Sequence, residues 1–441
     1  MASVNFRSIN ICVIGTGYVG LVTGVCLAKI GHSVICVDNN KDKIKKLKKG
    51  ISPIYEPGLS SLIKEGIKKG RLSFSEDINY AVKNSDVVFV CVNTPTQKNG
   101  KTDLRYIKAV SREIAKAMNG YKVIVSKSTI AVGTSQKIKE IMKRHHHPKL
   151  KFDIVFNPEF LREGSAVDDF LHPDRIVIGA ESEKAKRIME QIYGSVKTPI
   201  IFTGIEASEI IKHASNAFLA TKISFINTVS NICEKNGGEI EEVALAMGLD
   251  KRIGKDFLKA GIGFGGSCFP KDVAAFIRVA KDSGYDFKLL KEVQRINFNQ
   301  REQFVKKVQS LIPNLKNKKI AVLGLSFKPN TDDMREAPSI DIIKMLLVKK
   351  AVIKAYDPVA MEKAKDIFKN KITYGSNMYE VMKGANAVLI LTEWADFLKI
   401  DFKKAKKLLR SPFIIDGRNM FSPEKMANLG FEYYSIGRKK L

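Results

Sequence analysis

Short apolar runs rich in β-branched residues alternate with helical patterns from residue 9 to about residue 200. Such runs are typical of strands buried in a parallel sheet, since both faces of these strands are covered. The segment from Val19 to Ile30, which ends at Gly31, is typical of the helices between them. The pattern therefore predicts βαβ units and a doubly wound sheet. The predicted strands are Ile11 to Ile14, Ser33 to Val37, Val87 to Val92, Val123 to Ser126, Ile154 to Phe156 and Ile176 to Ile178.

The pattern changes between Ile205 and Lys235, where apolar residues recur near the helical period and no proline interrupts them. This spacing predicts one long helix. A helix of that length in mid-chain usually spans two domains or forms a subunit interface. Helical patterns then continue to about Arg301.

Strands and helices alternate again after the linker from Pro313 to Lys318. The sequence around Gly324 echoes that around Gly15, and Asp357 echoes Asp38. The chain is therefore predicted to be an α/β protein with two Rossmann-like doubly wound domains, joined by a long central helix and a helical middle domain. The predicted domains are residues 1–203, 204–305 and 316–441; the predicted strands of the last domain are Ile320 to Leu325, Val352 to Tyr356, Ala387 to Leu391 and Phe413 to Ile415.

The charge of the chain is strongly positive: 74 Lys plus Arg against 46 Asp plus Glu gives +28 over 441 residues, and the excess is mostly lysine. A diffuse positive field attracts anions. Proteins that recognise nucleic acids usually contact them through arginine, however, and the excess here is lysine. A solvated basic surface is the simplest interpretation of this charge. The six cysteines include no C-x-x-C pair, no apolar stretch approaches about 20 residues, and residues 1–9 lack the features of a signal peptide, so a reducing cytoplasm is predicted.

A glycine-rich turn, Gly15-Thr16-Gly17-Tyr18-Val19-Gly20, follows the first predicted strand and opens a helix. Glycines there permit a tight turn and a close approach of pyrophosphate to the helix N-terminus. Asp38 ends the next strand and would accept hydrogen bonds from the adenosine ribose. Because a carboxylate repels a 2′-phosphate and no arginine lies beside Asp38, the sequence favours NAD over NADP.

Cys268 differs from the other cysteines because it follows a glycine-rich loop, Gly261 to Gly266, and precedes Pro270, a residue common in the first turn of a helix. Open backbone N–H groups, the positive helix end and Lys271 would each favour the thiolate. The sequence therefore predicts a nucleophile here, with Asp272 as a water-orienting partner.

Two further pairs of polar residues are candidates for chemistry. Glu159 and Glu163 follow a predicted strand and, on a short helix, would face the same way, so that one could act as a general base. An acidic pair at a helix start is an equally good interpretation. Lys212 and Asn216 would share one face of the long helix. Stabilisation of an oxyanion is one use for them, and a lysine reaching the surface is the alternative.

Taken together, these segments resemble the UDP-glucose/GDP-mannose dehydrogenases, which oxidise the C6 alcohol of a nucleotide sugar to a carboxylate with NAD. The resemblance covers essentially the whole chain. Within the family, the sequence from Arg252 to Gly261 is most similar to the UDP-glucose branch. The resemblance is carried by the turn at Gly15, Ile54 to Leu59, Val92 to Thr96, Lys127-Ser128-Thr129, Asn157 to Gly164, the Cys268 loop and Phe327-Lys328.

The resemblance implies a four-electron oxidation of UDP-glucose through a thiohemiacetal and a thioester on Cys268, without a metal. Glu159 would be the base, Lys212 and Asn216 would stabilise oxyanions, and Asp272 and Thr129 would place the water. Other residues would surround NAD with Asp38, namely Lys43, Thr94, Thr129, Glu163, Lys271 and Arg335. The residues implied for the sugar nucleotide are Glu159, Phe160, Leu161, Glu163, Lys212, Asn216, Phe257, Leu258, Lys259, Gly261, Gly265 and Lys328, with Arg252 reaching the ligand of a partner subunit in a homo-oligomer.

Three alternatives remain at this stage. An enzyme of the same mechanism could use GDP-mannose. A two-electron hydroxyacid or 6-phosphogluconate-type dehydrogenase would share a Rossmann domain and long helices but would not need Cys268. A noncatalytic nucleotide or nucleic-acid binder would use the positive surface, and its affinity would fall steeply with salt.

Overall fold

The computed structural model describes residues 7–95, 97 and 102–439. Thr96, at the end of one family motif, lies outside the described residues, as do the first six and last two residues of the predicted terminal domains. The chain divides into two compact units, with the boundary between Ser215 and Asn216. The three predicted domain boundaries stay a prediction.

The first unit contains an eight-stranded sheet in the order β3-β2-β1-β4-β5-β6-β7-β8. Its first six strands are parallel and have the Rossmann order, whereas β6 and β7 are antiparallel. The strands are β1 (Asn10–Ile14), β2 (Ser33–Val37), β3 (Leu72–Ser75), β4 (Val87–Val90), β5 (Lys122–Ser126), β6 (Phe152–Phe156), β7 (Ile176–Ala180) and β8 (Ile200–Thr203). The helices are α1 (Tyr18–Lys29), α2 (Lys41–Lys48), α3 (Leu59–Lys68), α4 (Ile78–Lys83), α5 (Arg105–Ala117), α6 (Thr134–His145), α7 (Ala166–Leu171) and α8 (Glu183–Tyr193).

The predicted long helix is confirmed as α9 (Ile205–Asn236), which has 32 residues and contains the boundary between the units. Three more helices follow it in the second unit: α10 (Ile240–Leu249), α11 (Phe269–Asp282) and α12 (Lys288–Leu311). None of the helices in the described part of the chain combines the length and the apolar character needed to cross a membrane.

The second unit ends in a six-stranded parallel sheet in the order β11-β10-β9-β12-β13-β14, which is again the Rossmann order. The fold class predicted from the sequence is therefore confirmed. The strands are β9 (Lys319–Leu323), β10 (Val352–Tyr356), β11 (Thr373–Tyr374), β12 (Ala387–Ile390), β13 (Phe413–Asp416) and β14 (Glu432–Tyr434). The helices are α13 (Pro338–Val348), α14 (Met361–Phe368), α15 (Met378–Met382), α16 (Phe402–Leu408) and α17 (Pro423–Asn428).

The two sheets differ at the carboxylate that follows their second strand. Asp357, after β10, is fully buried, and one of its oxygens accepts hydrogen bonds from Leu325 N at 2.7 Å and Trp394 Nε1 at 3.1 Å. Its other oxygen accepts from Ala360 N at 2.8 Å. The protein's own donors therefore surround this carboxylate, which agrees with the absence of a glycine triplet after β9.

Candidate active site

The turn after β1 brings backbone segments too close together for side chains. Gly15 has a φ of +97°, and a Cβ built on it would lie 2.6 Å from the carbonyl oxygen of Cys91. A Cβ on Gly20 would lie 1.9 Å from the oxygen of Gly15, so α1 packs directly against the turn. By contrast, a Cβ on Gly17 would meet only Asn93 Oδ1, at 3.9 Å. Two glycines therefore close the turn, while the third leaves open space at the start of α1.

Asp38, at the end of β2, accepts hydrogen bonds from three directions. Thr16 donates through its N–H at 2.9 Å and its hydroxyl at 2.7 Å, Asn40 N donates at 3.0 Å, and Lys43 Nζ forms an ion pair at 3.0 Å. Burial acts to raise the pKa of Asp38, but these hydrogen bonds outweigh it and the pKa is lowered. The carboxylate is therefore charged at neutral pH.

These observations fit a bound dinucleotide. Among the described residues, no side chain caps the first turn of α1, so its N–H groups are left for an anion. The space over Gly17 admits a pyrophosphate, and the Asp38 carboxylate can accept from a ribose hydroxyl. Tyr18 and Val19 form the first turn of α1, and Lys43 lies beside Asp38 as the resemblance implied.

A buried ion pair lies after β6. Lys212 Nζ is 3.0 Å from Glu159 Oε1 and donates to the Glu159 carbonyl oxygen at 2.7 Å, and the two side chains are only 3% and 5% exposed. The other carboxylate oxygen of Glu159 accepts from Leu161 N at 2.7 Å. Phe160 lies between two cations, with the Arg175 guanidinium carbon 3.9 Å and Lys212 Nζ 5.4 Å from its ring centroid. Both groups of the pair are thus held in place by further contacts.

The prediction that Glu159 and Glu163 lie on a short helix is wrong. The segment after β6 has no regular secondary structure through Arg162, and α7 begins only at Ala166. Pro158 disfavours a helical conformation for the residue before it, and the carboxylate of Glu159 turns back onto the chain two residues later. The two glutamates therefore have different surroundings.

Glu56 anchors the end of this loop. Its two carboxylate oxygens accept from Gly164 N and Ala166 N, each at 2.7 Å, and Gly164 N also contacts the Tyr18 hydroxyl at 2.9 Å. The loop containing Glu163 is thereby attached to the dinucleotide helix. The family motif around Glu56 thus has a structural role that sequence reasoning did not assign.

Side-chain hydrogen bonds join the loops after β4 and β5, and one of them is from Ser128 Oγ to the Val92 carbonyl oxygen at 2.7 Å. Thr94 Oγ1 donates to the Thr129 carbonyl oxygen at 2.8 Å. Both residues lie beyond the carboxyl ends of parallel strands, where such sheets bind ligands.

Cys268 immediately precedes α11, as the sequence predicts. All six cysteines fall within the described residues; five are buried, and Cys268 alone is partly exposed. Its sulfur is 3.7 Å from Ser267 Oγ, and its carbonyl oxygen accepts from Asp272 N at 2.8 Å. The thiol is thus presented at the beginning of a helix that contains Pro270 in its first turn.

Asp272 is almost fully buried one turn into α11, with 1% of its side chain exposed. It accepts from Asn216 Nδ2 at 2.6 Å, and Lys271 Nζ lies 3.0 Å from its other oxygen. This contact joins Asn216, on α9, to the cysteine helix. Lys212 precedes Asn216 by four residues on α9.

Polar side chains that sequence reasoning missed hold the glycine-rich loop before Cys268. Asn297 accepts from Phe264 N at 2.7 Å and donates to Phe264 O at 3.0 Å. Arg301 donates to the same carbonyl oxygen at 2.8 Å, and Arg418 donates to Gly263 O at 3.2 Å. A detectable signal was the presence of Asn297, Gln300 and Arg301 at helical spacing on an otherwise apolar face of α12.

Close packing explains the glycines of this loop. A Cβ on Gly265 would lie 2.3 Å from Glu336 O, and one on Gly266 would lie 2.7 Å from the Phe327 ring. Gly266 also has a φ of +82° and donates to Arg335 O at 2.9 Å. The loop is thus fitted against the segment after β9.

The other predicted residues of the second unit lie in two segments. Phe257 has a left-handed φ of 63°, and Leu258 and Gly261 are buried, whereas Lys259 and Arg252 are exposed. Arg252 pairs with Asp250 at 2.6 Å. In the second segment, Lys328 Nζ lies 5.6 Å from the centre of the Phe327 ring, and Arg335 pairs with Asp333 at 2.7 Å.

The Rossmann sheet and the turn after β1 define a dinucleotide-binding protein. Comparison with known proteins gives the family. The chain belongs to the UDP-glucose/GDP-mannose dehydrogenase family, whose NAD binding domain matches residues 9–197, whose central domain matches residues 206–299 and whose UDP binding domain matches residues 321–423. The predicted family and the predicted cofactor, NAD, are confirmed.

Individual relatives are similar over nearly their whole length. A UDP-glucose 6-dehydrogenase of Bacillus subtilis (strain 168) is 49% identical over 429 residues, covering 97% of this chain and 93% of that protein. A UDP-glucose 6-dehydrogenase of Rhizobium meliloti (strain 1021) is 44% identical, covering 97% and 99%. The structure of a UDP-glucose dehydrogenase from the hyperthermophilic archaeon Pyrobaculum islandicum matches with a TM-score of 0.92 and 36% identity, covering 100% of both chains.

The Asp38 carboxylate generates a prediction about cofactor binding. Asp38→Asn should raise the Kd for NAD about tenfold or more, because hydrogen bonds to a charged group are worth about 1.5–3 kcal/mol. The same change should narrow the preference for NAD over NADP, since the charge that repels a 2′-phosphate is gone. Titration followed by protein fluorescence measures both constants.

Asp42→Asn is the matched control, because Asp42 lies exposed in the first turn of α2. It should leave both Kd values unchanged. Equal affinities for NAD in Asp38→Asn and the wild type would contradict the assignment of Asp38 to the ribose.

Proposed function

We propose that the protein oxidises UDP-glucose to UDP-glucuronate, with two NAD⁺ and one water consumed and two NADH and three protons released. The observation that carries the proposal is Cys268, partly exposed at the start of α11 after a loop fixed from several sides, in a chain of this family. NAD, when bound, supplies the hydride acceptor for both oxidations. The chain's own residues then hold the carbon that reacts.

Cys268 accounts for the succession of two oxidations. Loss of a hydride and a proton from the C6 alcohol gives an aldehyde, and the sulfur adds to its carbon to form a thiohemiacetal. Loss of a second hydride and of the hydroxyl proton converts this adduct to a thioester. Water then cleaves the C–S bond, which releases the carboxylate and a proton and restores the thiol. The covalent bond prevents escape of the aldehyde between the two oxidations.

Hydrolysis requires a base and a stabilised oxyanion. We assign Glu159 as the base and Lys212 and Asn216 as the groups that stabilise negative charge on oxygen. The Glu159–Lys212 ion pair and the Asn216–Asp272 hydrogen bond support these roles, because each fixes the group in a buried position. Asp272 and Thr129 would place the water.

The remaining assignments follow family resemblance and belong to the same proposal. The sugar nucleotide would be held by Glu159, Phe160, Leu161, Glu163, Lys212 and Asn216 together with residues of the second unit, and NAD would be surrounded by the residues predicted for it. The protein would act in the cytoplasm, within the three-domain organisation predicted from the sequence. The second-unit ligands would be Arg252, Phe257, Leu258, Lys259, Gly261, Gly265 and Lys328, and those around NAD would be Lys43, Thr94, Thr129, Glu163, Lys271 and Arg335 beside Asp38.

The stoichiometry of the reaction tests the proposal directly. Two NADH should form for each UDP-glucose consumed, whereas a two-electron dehydrogenase would yield one. Absorbance at the NADH band, with chromatography of the sugar nucleotides, measures the ratio. GDP-mannose in place of UDP-glucose should react far more slowly. Equal or faster turnover on GDP-mannose would contradict the assignment of UDP-glucose as the substrate.

The role of the thiol is tested by Cys268→Ser. This variant should form no UDP-glucuronate while still binding NAD, because a serine hydroxyl is a much weaker nucleophile than a thiolate. Cys233→Ser is the control, since Cys233 lies in the core of the same unit and burial raises its pKa. Normal acid formation by Cys268→Ser would rule out the thioester.

Glu159→Gln should slow hydrolysis of the thioester, so that the thioester accumulates on Cys268. Intact-protein mass spectrometry should then detect the sugar nucleotide attached to the chain. A normal steady-state rate without any adduct would exclude Glu159 as the base.

We further propose that the protein forms a homodimer through α9. This helix exposes Phe218, Phe225 and Ile232 at intervals of seven residues, with exposed fractions of 65%, 51% and 55%. Residues seven apart lie on nearly the same side of a helix, so the three form an apolar stripe. A second copy can cover such a stripe with its own stripe, as a twofold interface requires.

Phe225→Glu should weaken the dimer at least about 30-fold, because a central aromatic side chain contributes about 2 kcal/mol or more at an interface. Light scattering coupled to gel filtration across a dilution series measures the mass. Val348→Glu is the control, since Val348 is an apolar residue of α13 that is 82% exposed. A wild-type chain that is monomeric at every concentration would contradict the proposal.

A further inference from the structure

A second buried lysine, Lys127, contacts the segment that contains Glu159. Lys127 directly follows β5, and only 4% of the residue is exposed. Its ammonium nitrogen is 3.0 Å from Asn157 Oδ1 and 3.5 Å from the Tyr193 hydroxyl, and it lies 5.9 Å from the centre of the Phe170 ring. No carboxylate lies within ion-pair distance of it among the described residues. Burying an ammonium group among neutral partners costs folding free energy. A functional role for Lys127 would explain why this cost is tolerated.

Asn157 connects this lysine to the proposed base. Its Oδ1 accepts from Lys127 and, at 2.6 Å, from the Tyr193 hydroxyl, and its Nδ2 donates to Val177 O at 2.8 Å. Asn157 is therefore fixed on three sides, and it precedes Glu159 by two residues with only Pro158 between them. Because Pro158 restricts the backbone between them, a movement of Asn157 would also move Glu159.

The charges that face Lys127 come from three elements. Glu159, after β6, and Lys212, on α9, act on it with opposite signs, and Cys91, after β4, also faces it. Burial raises the pKa of the Cys91 thiol to about 12, so that sulfur is neutral at ordinary pH. Tyr193 contributes a neutral hydroxyl, because burial raises its pKa well above the usual value. The charge facing Lys127 is therefore that of the Glu159–Lys212 pair.

We propose that Lys127 is a positioning residue for hydrolysis of the thioester. It fixes the loop of Glu159 through Asn157, and its ammonium adds a buried positive charge beside that loop. The inference rests on the proposed function, since it assumes Glu159 as the base. Lys127 need not touch the substrate, and it gains and loses no proton during the reaction.

The inference has a consequence for the pH dependence. Burial, the largest effect on Lys127, lowers its pKa to about 8, and the nearby acidic groups offset this only in part. The ammonium is thus present below about pH 8 and lost above it. Hydrolysis of the thioester by the wild type should therefore slow as the pH rises through about 8.

The test compares Lys127→Met with Lys122→Met across a pH series. Lys122 is a matched control: it is a buried lysine at the other end of β5, its Nζ donates to Ser85 O at 2.5 Å, and burial lowers its pKa too. Rapid-quench mass spectrometry measures the thioester on Cys268 with UDP-glucose and NAD, and NADH absorbance gives the turnover.

Lys127→Met should slow hydrolysis about tenfold at pH 7, because loss of the charge-assisted hydrogen bond to Asn157 loosens the loop of Glu159. It should also lack the decline near pH 8. Its midpoint of thermal unfolding should be no lower than that of Lys122→Met, because Tyr193 still donates to Asn157. Lys122→Met should keep the rate and the decline of the wild type. In Lys127→Arg, which stays charged at high pH, the decline should disappear.

Three results would overturn the inference, and the first two can be told apart from the third. If the wild type forms two NADH but Lys127→Met matches Lys122→Met in rate and pH profile, Lys127 has no role in hydrolysis and the proposed function is unaffected. An unchanged decline near pH 8 in Lys127→Arg has the same meaning, even if Lys127→Met does not fold. If the wild type itself forms one NADH and no thioester, the proposed function fails and the inference with it.

Discussion

A charged side chain that leaves water must be paired or fully hydrogen-bonded, and this requirement fixes the charged groups of the candidate site. In the first unit it joins Glu159 to Lys212 and Asp38 to Thr16 and Lys43. Each pairing connects an element of the sheet to a neighbouring helix or loop. Since breaking such a pair would leave a buried charge alone, the positions of these groups are held more firmly than apolar packing alone would hold them.

The two Rossmann sheets share one architecture but differ in the surroundings of the carboxylate after their second strand. Gly15 and Gly324 have similar left-handed conformations in the turns after β1 and β9, with φ values of +97° and +89°. Asp38 keeps a partly accessible carboxylate, whereas the Trp394 indole and backbone N–H groups enclose Asp357. The second sheet thus retains the geometry of a dinucleotide turn, but the Asp357 carboxylate is hydrogen-bonded within the protein. The match of this region to the UDP binding domain of the family agrees with a different use of the second sheet.

The loop before Cys268 is irregular, yet several of its backbone groups are hydrogen-bonded. Side chains from α12 and from the segment after β13 donate to its carbonyl oxygens, and glycines allow the close approach. Such a loop keeps a definite position without regular secondary structure. This is the property that a nucleophile needs if it is to meet two successive intermediates in one geometry.

Much of the fold follows from local patterns. Apolar runs identified the central strands, because both faces of a parallel strand are buried, and helical spacing without proline identified α9. The strands β3, β8, β11 and β14 were missed, since β8 and β11 are mostly exposed and all four are short. The glycine turn and Asp38 could be identified because their spacing reflects a local requirement of pyrophosphate and ribose binding.

Contacts between distant residues could be decided only by the tertiary structure. The helix predicted around Glu159 does not form, because Pro158 disfavours a helical conformation before it and the Glu159 carboxylate accepts a hydrogen bond from Leu161 N. The sequence by itself determined the central strands, the long helix α9 and the residue types at their ends, since these depend on neighbours along the chain. The tertiary structure alone decided which group each buried charge contacts, as for Lys212 with Glu159 and Lys127 with Asn157. Those pairings join residues 53 and 30 positions apart, a separation that no local pattern records.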